Sequence, residues 1–212
     1  MKILHSSDLH GSYKELLMAL EGDFDVWVDT GDFFPNKTRG DRNIETSFQN
    51  KWFSWKNLGG RIVKALGDRK MICVGGNHDY TDLASLIREA GGNAENISDG
   101  PVEYGGLSFA GFREIPWIIG EWNGETHDLS DLVRNAIGAD PDVLVTHAPP
   151  AGILDTRKYR GGIEGLAMAL NYQPHRIKYH FFGHIHENGG KAVDEMGIKF
   201  VNGANHIRAW GI

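Results

Sequence analysis

Cysteine is nearly absent from this chain of 212 residues: Cys73 stands alone, so no internal disulfide can hold the fold and a buried core must do so. It lies in the apolar run Met71-Ile72-Cys73-Val74, where a thiol serves as a small hydrophobe. Proline is scarce too, with 7 residues against 28 glycines, which excludes a proline-rich segment and leaves glycine as the main source of unusual backbone. Positive charge is in deficit, with 22 Lys and Arg against 28 Asp and Glu and a net charge of −6. A broad nonspecific binder of nucleic acid needs a phosphate-neutralising excess that this composition does not supply. No run approaches the roughly 18 apolar residues of a spanning helix, and Met1-Lys2-Ile3-Leu4-His5 lacks the apolar stretch of a secretory leader. The expectation is a cytoplasmic protein with no membrane association, in which the glycosylation-type Asn-Ile-Ser at 96–98 carries no meaning.

What is present is apolar and patterned. Leu, Ile, Val and Phe make up a quarter of the chain, which excludes disorder. Short apolar runs predict strands at Lys2–His5, Asp25–Asp29, Met71–Val74, Asp142–Thr146 and Tyr179–Phe182. Helical spacing marks a segment carrying Leu16, Leu17 and Leu20, then Asp82–Ala90, Leu129–Ile137 and Gly161–Leu170. A further helix, with Ile44, Phe48, Trp52, Trp55 and Ile62 on one face, is expected to cover a core and to break or kink at Gly59-Gly60. Hairpins are expected at Gly105-Gly106, between Val102–Tyr104 and Leu107–Ala110, and at Met196-Gly197, between Ala192–Glu195 and Ile198–Asn202. Strands alternating with helices argue an α/β architecture with a largely parallel sheet. No repeat or linker interrupts it, so residues 1–212 are read as one domain.

Chemistry collects in the turns after the strands. Asp8-Leu9-His10-Gly11 follows the first, Gly31-Asp32 the second and Gly75-Gly76-Asn77-His78-Asp79 the third. His147 and Gly183-His184-Ile185-His186 follow the last two. Open α/β sheets bind ligands at the carboxyl ends of their strands, so five strand ends deliver Asp, His and Asn to one edge. A nitrogen–oxygen donor set without thiolate suits Mn, Fe, Zn, Co or Ni. One metal would leave several groups unused, whereas two sharing a carboxylate use them all. In Asp8-x-His10 and His184-x-His186, an extended backbone would present both side chains of each pair on one side.

This ordered set resembles the calcineurin-like metallophosphoesterase superfamily. The wording Gly31-Asp32-Phe33-Phe34, Thr146-His147-Ala148-Pro149-Pro150 and Phe182-Gly183-His184-Ile185-His186-Glu187 is similar to its small phosphodiesterase-like branch. The resemblance implies a four-layer α/β/β/α sandwich. It implies one metal on Asp8, His10, Asp32 and His186 and a second on Asp32, Asn77, His147 and His184, with Asp32 as the bridge. His78, with Asn77 beside it, falls on the substrate side as the group that contacts the phosphate or protonates the leaving oxygen. The implied reaction is attack on phosphorus by a metal-bridging hydroxide at a site of about +1 net charge, with manganese the first expectation for the metal. The substrate would be a small phosphoester, a nucleotide or a short nucleic acid. A phosphomonoesterase, including a protein phosphatase, is the alternative, and a non-catalytic binding or scaffold protein of the same fold is a third class.

One position departs from the pattern. Many members read Gly-Asp-x-x-Asp, the second Asp orienting the substrate-side histidine, but here that position is Pro35. Orientation of His78 must come from elsewhere, and adjacency makes Asp79 the candidate. Of the remaining histidines, His5, His127, His175 and His180 are read as structural or solvated, and His206 as near the site rim. Phe33, Phe34, Trp117 and Trp122 could stack a base or fill a core. Lys37, Arg39, Arg42, Arg157, Lys158 and Arg160 could guide an anion or be solvated loop charge.

Overall fold

Strands that read as unbroken apolar runs need cover on both faces, and the architecture supplies it. In the computed structural model, which describes residues 1–155 and 161–212, the elements are β1 (Lys2–Ser7), α1 (Lys14–Leu20), β2 (Val26–Asp29), α2 (Arg42–Trp55), α3 (Leu58–Leu66), β3 (Lys70–Cys73), α4 (Leu83–Glu89), β4 (Asn93–Asn96), β5 (Val102–Tyr104), β6 (Leu107–Phe112), β7 (Ile115–Pro116), β8 (Glu125–Thr126), α5 (Ser130–Gly138), β9 (Val143–Thr146), α6 (Glu164–Tyr172), β10 (Tyr179–Phe182), β11 (Ala192–Glu195), β12 (Ile198–Asn202) and β13 (His206–Gly211). One sheet has the order β13-β1-β2-β3-β4 and the other β11-β12-β10-β9-β6-β5. The inner strands of both are parallel, and β13, β11 and β5 add antiparallel edges.

Three apolar layers hold this together. Ile3, Val26, Val28 and Ile72 of the first sheet meet Phe109, Val143, Val145, Phe181 and Val201 of the second. The outer face of the first sheet, with Leu4, Trp27 and Met71, packs under Leu16, Leu20, Leu58, Ile62 and Ile87. That of the second, with Leu144, Phe182 and Phe200, packs under Val133, Ile137, Leu166 and Leu170. The result is the expected α/β/β/α sandwich. Among the described residues no helix is long and apolar enough to cross a membrane.

Two expectations need correction. The apolar stripe of α2 does not face the core: Ile44 is 42% exposed and Trp55 79%, while Glu45, Gln49 and Phe53 turn inward. Trp52 is only partly buried, against the outer cluster. The helix stops at Trp55 rather than at Gly59-Gly60, because Asn57 takes a left-handed conformation and α3 begins at Leu58, with Ile62 in that second helix. Strands β4 and β13 were not anticipated, because their apolar patterns, Ala94 alone in one and Ile207, Ala209 and Trp210 in the other, are weak. Both are edge strands, recruited by the backbone groups of β3 and β1.

Candidate functional site

The turns after β1, β2, β9 and β10 leave the sheets still paired to one another. Asp8 N donates to Gly31 O at 2.8 Å, His10 N to Asp32 O at 2.9 Å and Gly183 N to His147 O at 2.9 Å. The residues on these turns carry unusual backbone. Asp8, His10, Asp32 and His184 have φ of 54°, 44°, 57° and 65°, a region that costs a non-glycine residue about 1–3 kcal/mol and that structures retain where function holds it. Asp8 and His10 therefore come together, but through two left-handed turns and not through an extended alternation. The other pair separates: His186 joins Asp8, and His184 packs edge-on against His147 with ring centroids 5.1 Å apart.

Glycine permits the crowding. A Cβ on Gly183 would lie 1.9 Å from Ser7 Oγ and 2.2 Å from Asp8 Oδ2, and one on Gly76 would lie 2.1 Å from Asp32 Oδ1. The glycines of Gly-His-x-His and Gly-Asn-His-Asp are thus the gaps into which the two carboxylates fit.

The donors fall into three overlapping groups, Asp8–His10–His186, His10–Asp32–His78 and Asp8–Asp32–His147, each with ligand atoms within 4.8 Å of one another. Asp8 Oδ1 stands 3.0 Å from His186 Nε2. Asp32 Oδ2 stands 3.4 Å from His147 Nε2, 3.9 Å from His10 Nε2 and 4.0 Å from His78 Nε2. Donors about 2.0–2.2 Å from a common cation sit roughly 3–3.5 Å apart, so the cluster is near coordination spacing. His147 sharpens the point. Its Nδ1 donates to Thr30 O at 2.7 Å, and its Nε2 faces two oxygens, Asn77 Oδ1 at 2.9 Å and Asp32 Oδ2. Without a cation a proton must sit between these groups. A cation placed there would take all three as ligands and release the proton.

Electrostatics agree with that reading. Burial pulls the His147 pKa down, but Asp32 and Asp8 outweigh it and raise the value to about 9. Burial pushes the Asp32 carboxyl up, and the charge and hydrogen bond of His147 reverse this, holding it well below the carboxylate range. Asp8 follows the same logic: burial raises it, and the His186 hydrogen bond and the His147 charge bring it below its usual value. Burial lowers His184 to about 4, so that it presents a neutral imidazole. Two buried anions among neutralisable histidines form a site that calls for cations.

The structure corrects the expectation for Asp79. Its carboxylate accepts from Asp32 N at 2.7 Å, Gly76 N at 2.9 Å and Phe34 N at 3.1 Å, so it braces the Asp32 turn and does not touch the His78 ring. The partner of His78 is Asn36, whose Oδ1 lies 2.6 Å from His78 Nδ1. Pro35 packs over Gly11. Trp122 lies on the His78 ring with centroids 4.1 Å apart, and Asn123 N donates to Asn77 O at 3.1 Å. Sequence reasoning missed Asn36, Glu45 and Gln49. The available signal was a polar pair at i, i+4 within an aromatic-rich helix.

The remaining assignments resolve individually. Phe33 and Phe34 are core, and Trp117 stacks on His127 at the surface. His5 and His180 are buried between strands. His206 lines, with Asp8 and Ser12, a cavity of about 410 Å³ at the rim. Arg39 pairs with Glu121 and Arg42 with Asn123, while Lys37 donates its amide to Glu45. Arg157, Lys158 and Arg160 lie outside the described residues.

A double-sheet sandwich with Asp and His converging from both sheets defines a metallophosphoesterase architecture. The chain belongs to the calcineurin-like phosphoesterase family, whose model matches residues 1–188, and membership supports a metal-dependent hydrolase of phosphoric esters. It is 36% identical over 116 residues to a UPF0046 protein of Caenorhabditis elegans, covering 52% of this chain and 28% of that one. It is 31% identical over 120 residues to the human metallophosphoesterase domain-containing protein 1, covering 55% and 35%. A second Caenorhabditis elegans UPF0046 protein matches at 28% over 215 residues, 96% of this chain and 69% of that one. The first two matches span about a third of those relatives' lengths.

Proposed function

We propose that the chain is a phosphodiesterase that hydrolyses a small nucleotide or a short nucleic-acid phosphodiester with two divalent cations, manganese first among them. The carrying observation is the placement of Asp32, one buried carboxylate oxygen shared among His10, His147 and His78. In this reading Asp8, His10, Asp32 and His186 hold one cation, and Asp32, Asn77, His147 and His184 the other. When bound, such a pair supplies a coordinated water of lowered pKa and Lewis-acid contacts to phosphoryl oxygens. His147, fixed by Thr30 O, keeps Nε2 aimed at the cluster. His78 Nε2 faces the same cluster from outside that ligand set, where it meets a phosphoryl oxygen or the departing oxygen.

Support for a diester comes from the neutral amide of Asn36 beside His78, where protein phosphatases carry a carboxylate, and from the Thr-His-Ala-Pro-Pro wording. The test pairs bis-p-nitrophenyl phosphate with p-nitrophenyl phosphate under saturating manganese, alongside metal analysis of the loaded chain. We expect a higher kcat/KM for the diester and two ions per chain. A clear preference for the monoester overturns the diester assignment, and full activity at one ion overturns the binuclear one.

A further inference from the structure

We propose that Asn36, itself oriented by Glu45, is the positioning residue that fixes the ring and the proton placement of His78. The inference rests on the phosphoesterase reading for its kinetic consequence only. Asn36 Nδ2 donates to His78 O at 3.0 Å and to Glu45 Oε2 at 3.3 Å. Two acceptors at that atom identify it as the amide nitrogen, so the oxygen is the end that meets His78 Nδ1 at 2.6 Å. An oxygen there demands a proton on Nδ1. The tautomer protonated only on Nε2 is excluded, so Nε2, which faces the cluster 4.0 Å from Asp32 Oδ2, donates to a phosphoryl or departing oxygen only when the ring carries both protons, the form that the Asn36 acceptor favours.

Glu45 makes this geometry obligatory. It is fully buried, and its two oxygens have separate tasks. Oε1 accepts from Lys37 N at 3.0 Å, from Thr38 N and from Thr38 Oγ1 at 2.7 Å, which ties down the loop. Oε2 accepts from Asn36 Nδ2 and shares Lys37 N at 3.1 Å. One turn along α2, Gln49 Nε2 donates to His78 O at 2.7 Å and Gln49 Oε1 accepts from Tyr80 N at 2.8 Å. Trp122 covers the ring face. This is why α2 turns Glu45 and Gln49 inward: Glu45 accepts from the amides of Lys37 and Thr38 and Gln49 serves the backbone of His78 and Tyr80, and an unmade buried hydrogen bond costs about 1–3 kcal/mol.

The separation of tasks gives a test by exchange. In Glu45→Gln the amide nitrogen faces either the Asn36 donor or the Thr38 amide, so the relay is frustrated. In the double variant Asn36→Asp with Glu45→Gln, donor and acceptor trade places along the bond between the two side chains and an acceptor toward His78 Nδ1 is kept, while His78 O loses the Asn36 donor and retains that of Gln49. Long-range ¹H–¹⁵N spectra of the zinc-loaded full chain, with His78 assigned by its loss in His78→Gln, report which ring nitrogen carries the proton. We expect an Nδ1 proton in the wild type and its loss in Asn36→Leu, with kcat for poor-leaving-group esters down about 10–100-fold and KM within about threefold. Glu45→Gln should fall between, and the double variant should recover the Nδ1 signature. An unchanged signature in Asn36→Leu overturns the proposal, as does a folded double variant without the Nδ1 proton. Should Asn36→Leu not fold, the second comparison decides. If the metal-loaded wild type hydrolyses no phosphoester, the functional reading fails, while the tautomer spectra still judge the role of Asn36.

Discussion

Replacing Gly183 by Ala probes how tightly the site is built. The added Cβ would lie 1.9 Å from Ser7 Oγ and 2.2 Å from Asp8 Oδ2, where ordinary contact begins at 3.4 Å, so something must retreat by more than an ångström. Asp8 has nowhere to go. It is 1% exposed; its Oδ2 takes the Ser7 hydroxyl at 2.5 Å and the His184 amide at 2.9 Å, and its Oδ1 meets His186 at 3.0 Å. The backbone at Gly183 must move instead, carrying His184 and His186 with it. Overpacking of this kind costs about 1–3 kcal/mol, and an ångström of misplacement at reacting groups costs on the order of a hundredfold in rate. We therefore expect a modest fall in Tm for the metal-free chain, weakened metal binding, and a kcat/KM on an aryl phosphodiester reduced about a hundredfold or more. Gly165→Ala is the control: it lies in α6 with nothing within 4 Å of its Cβ, and should stabilise by up to about 1 kcal/mol without touching activity. Metal affinity and turnover in Gly183→Ala within about threefold of wild type would refute the reasoning.

Two further outcomes follow from the buried charges. Asp32→Ala removes the oxygen shared by His10, His147 and His78 and should lower turnover on the order of a thousandfold; near wild-type rates from a folded variant would show that Asp32 is not the bridge. At low pH, His5 and His180 should destabilise the fold. Burial lowers both to about 3 from 6.5, so between pH 6.5 and 3 the unfolded chain binds protons that the folded one refuses, and stability falls as pH falls. His180, which packs against Phe182 and Phe200 with its Nδ1 unpartnered among the described residues, is the one to replace. Between pH 6.5 and 5, His180→Phe should lose about 2 kcal/mol less than wild type in urea unfolding, and equal losses would show that His180 is not buried neutral.

Much of the fold was legible because its demands are local. The inner strands announce themselves as apolar runs, their buried ends carry Asp, His and Asn, and β1, β2, β3, β9 and β10 emerge near their expected bounds. Periodicity states that a stripe is apolar without stating what covers it. The stripe Ile44, Phe48, Trp52 and Trp55 has the right spacing, yet α2 rotates it outward because Glu45 and Gln49 satisfy the backbone around His78. The edge strands β4 and β13 were hidden for a related reason: each carries few apolar side chains, Ala94 in one and Ile207, Ala209 and Trp210 in the other, and the neighbour's free backbone groups complete the pairing.

The site divides along the same line. Its membership was written in the chain order of Asp8, His10, Asp32, Asn77, His78, His147, His184 and His186, since each follows a strand and strand ends converge at one edge. How those residues meet was decided by the tertiary structure. Left-handed turns at Asp8, His10, Asp32 and His184 replace the simple alternation. The ring of His186 meets Asp8 while that of His184 packs on His147. Asp79 turns away to brace the Asp32 loop, and Asn36, next to the proline that breaks the motif, takes the histidine. A hydrogen bond between residues 42 positions apart leaves no trace in spacing; it exists because α2 and the two loops close on one buried carboxylate.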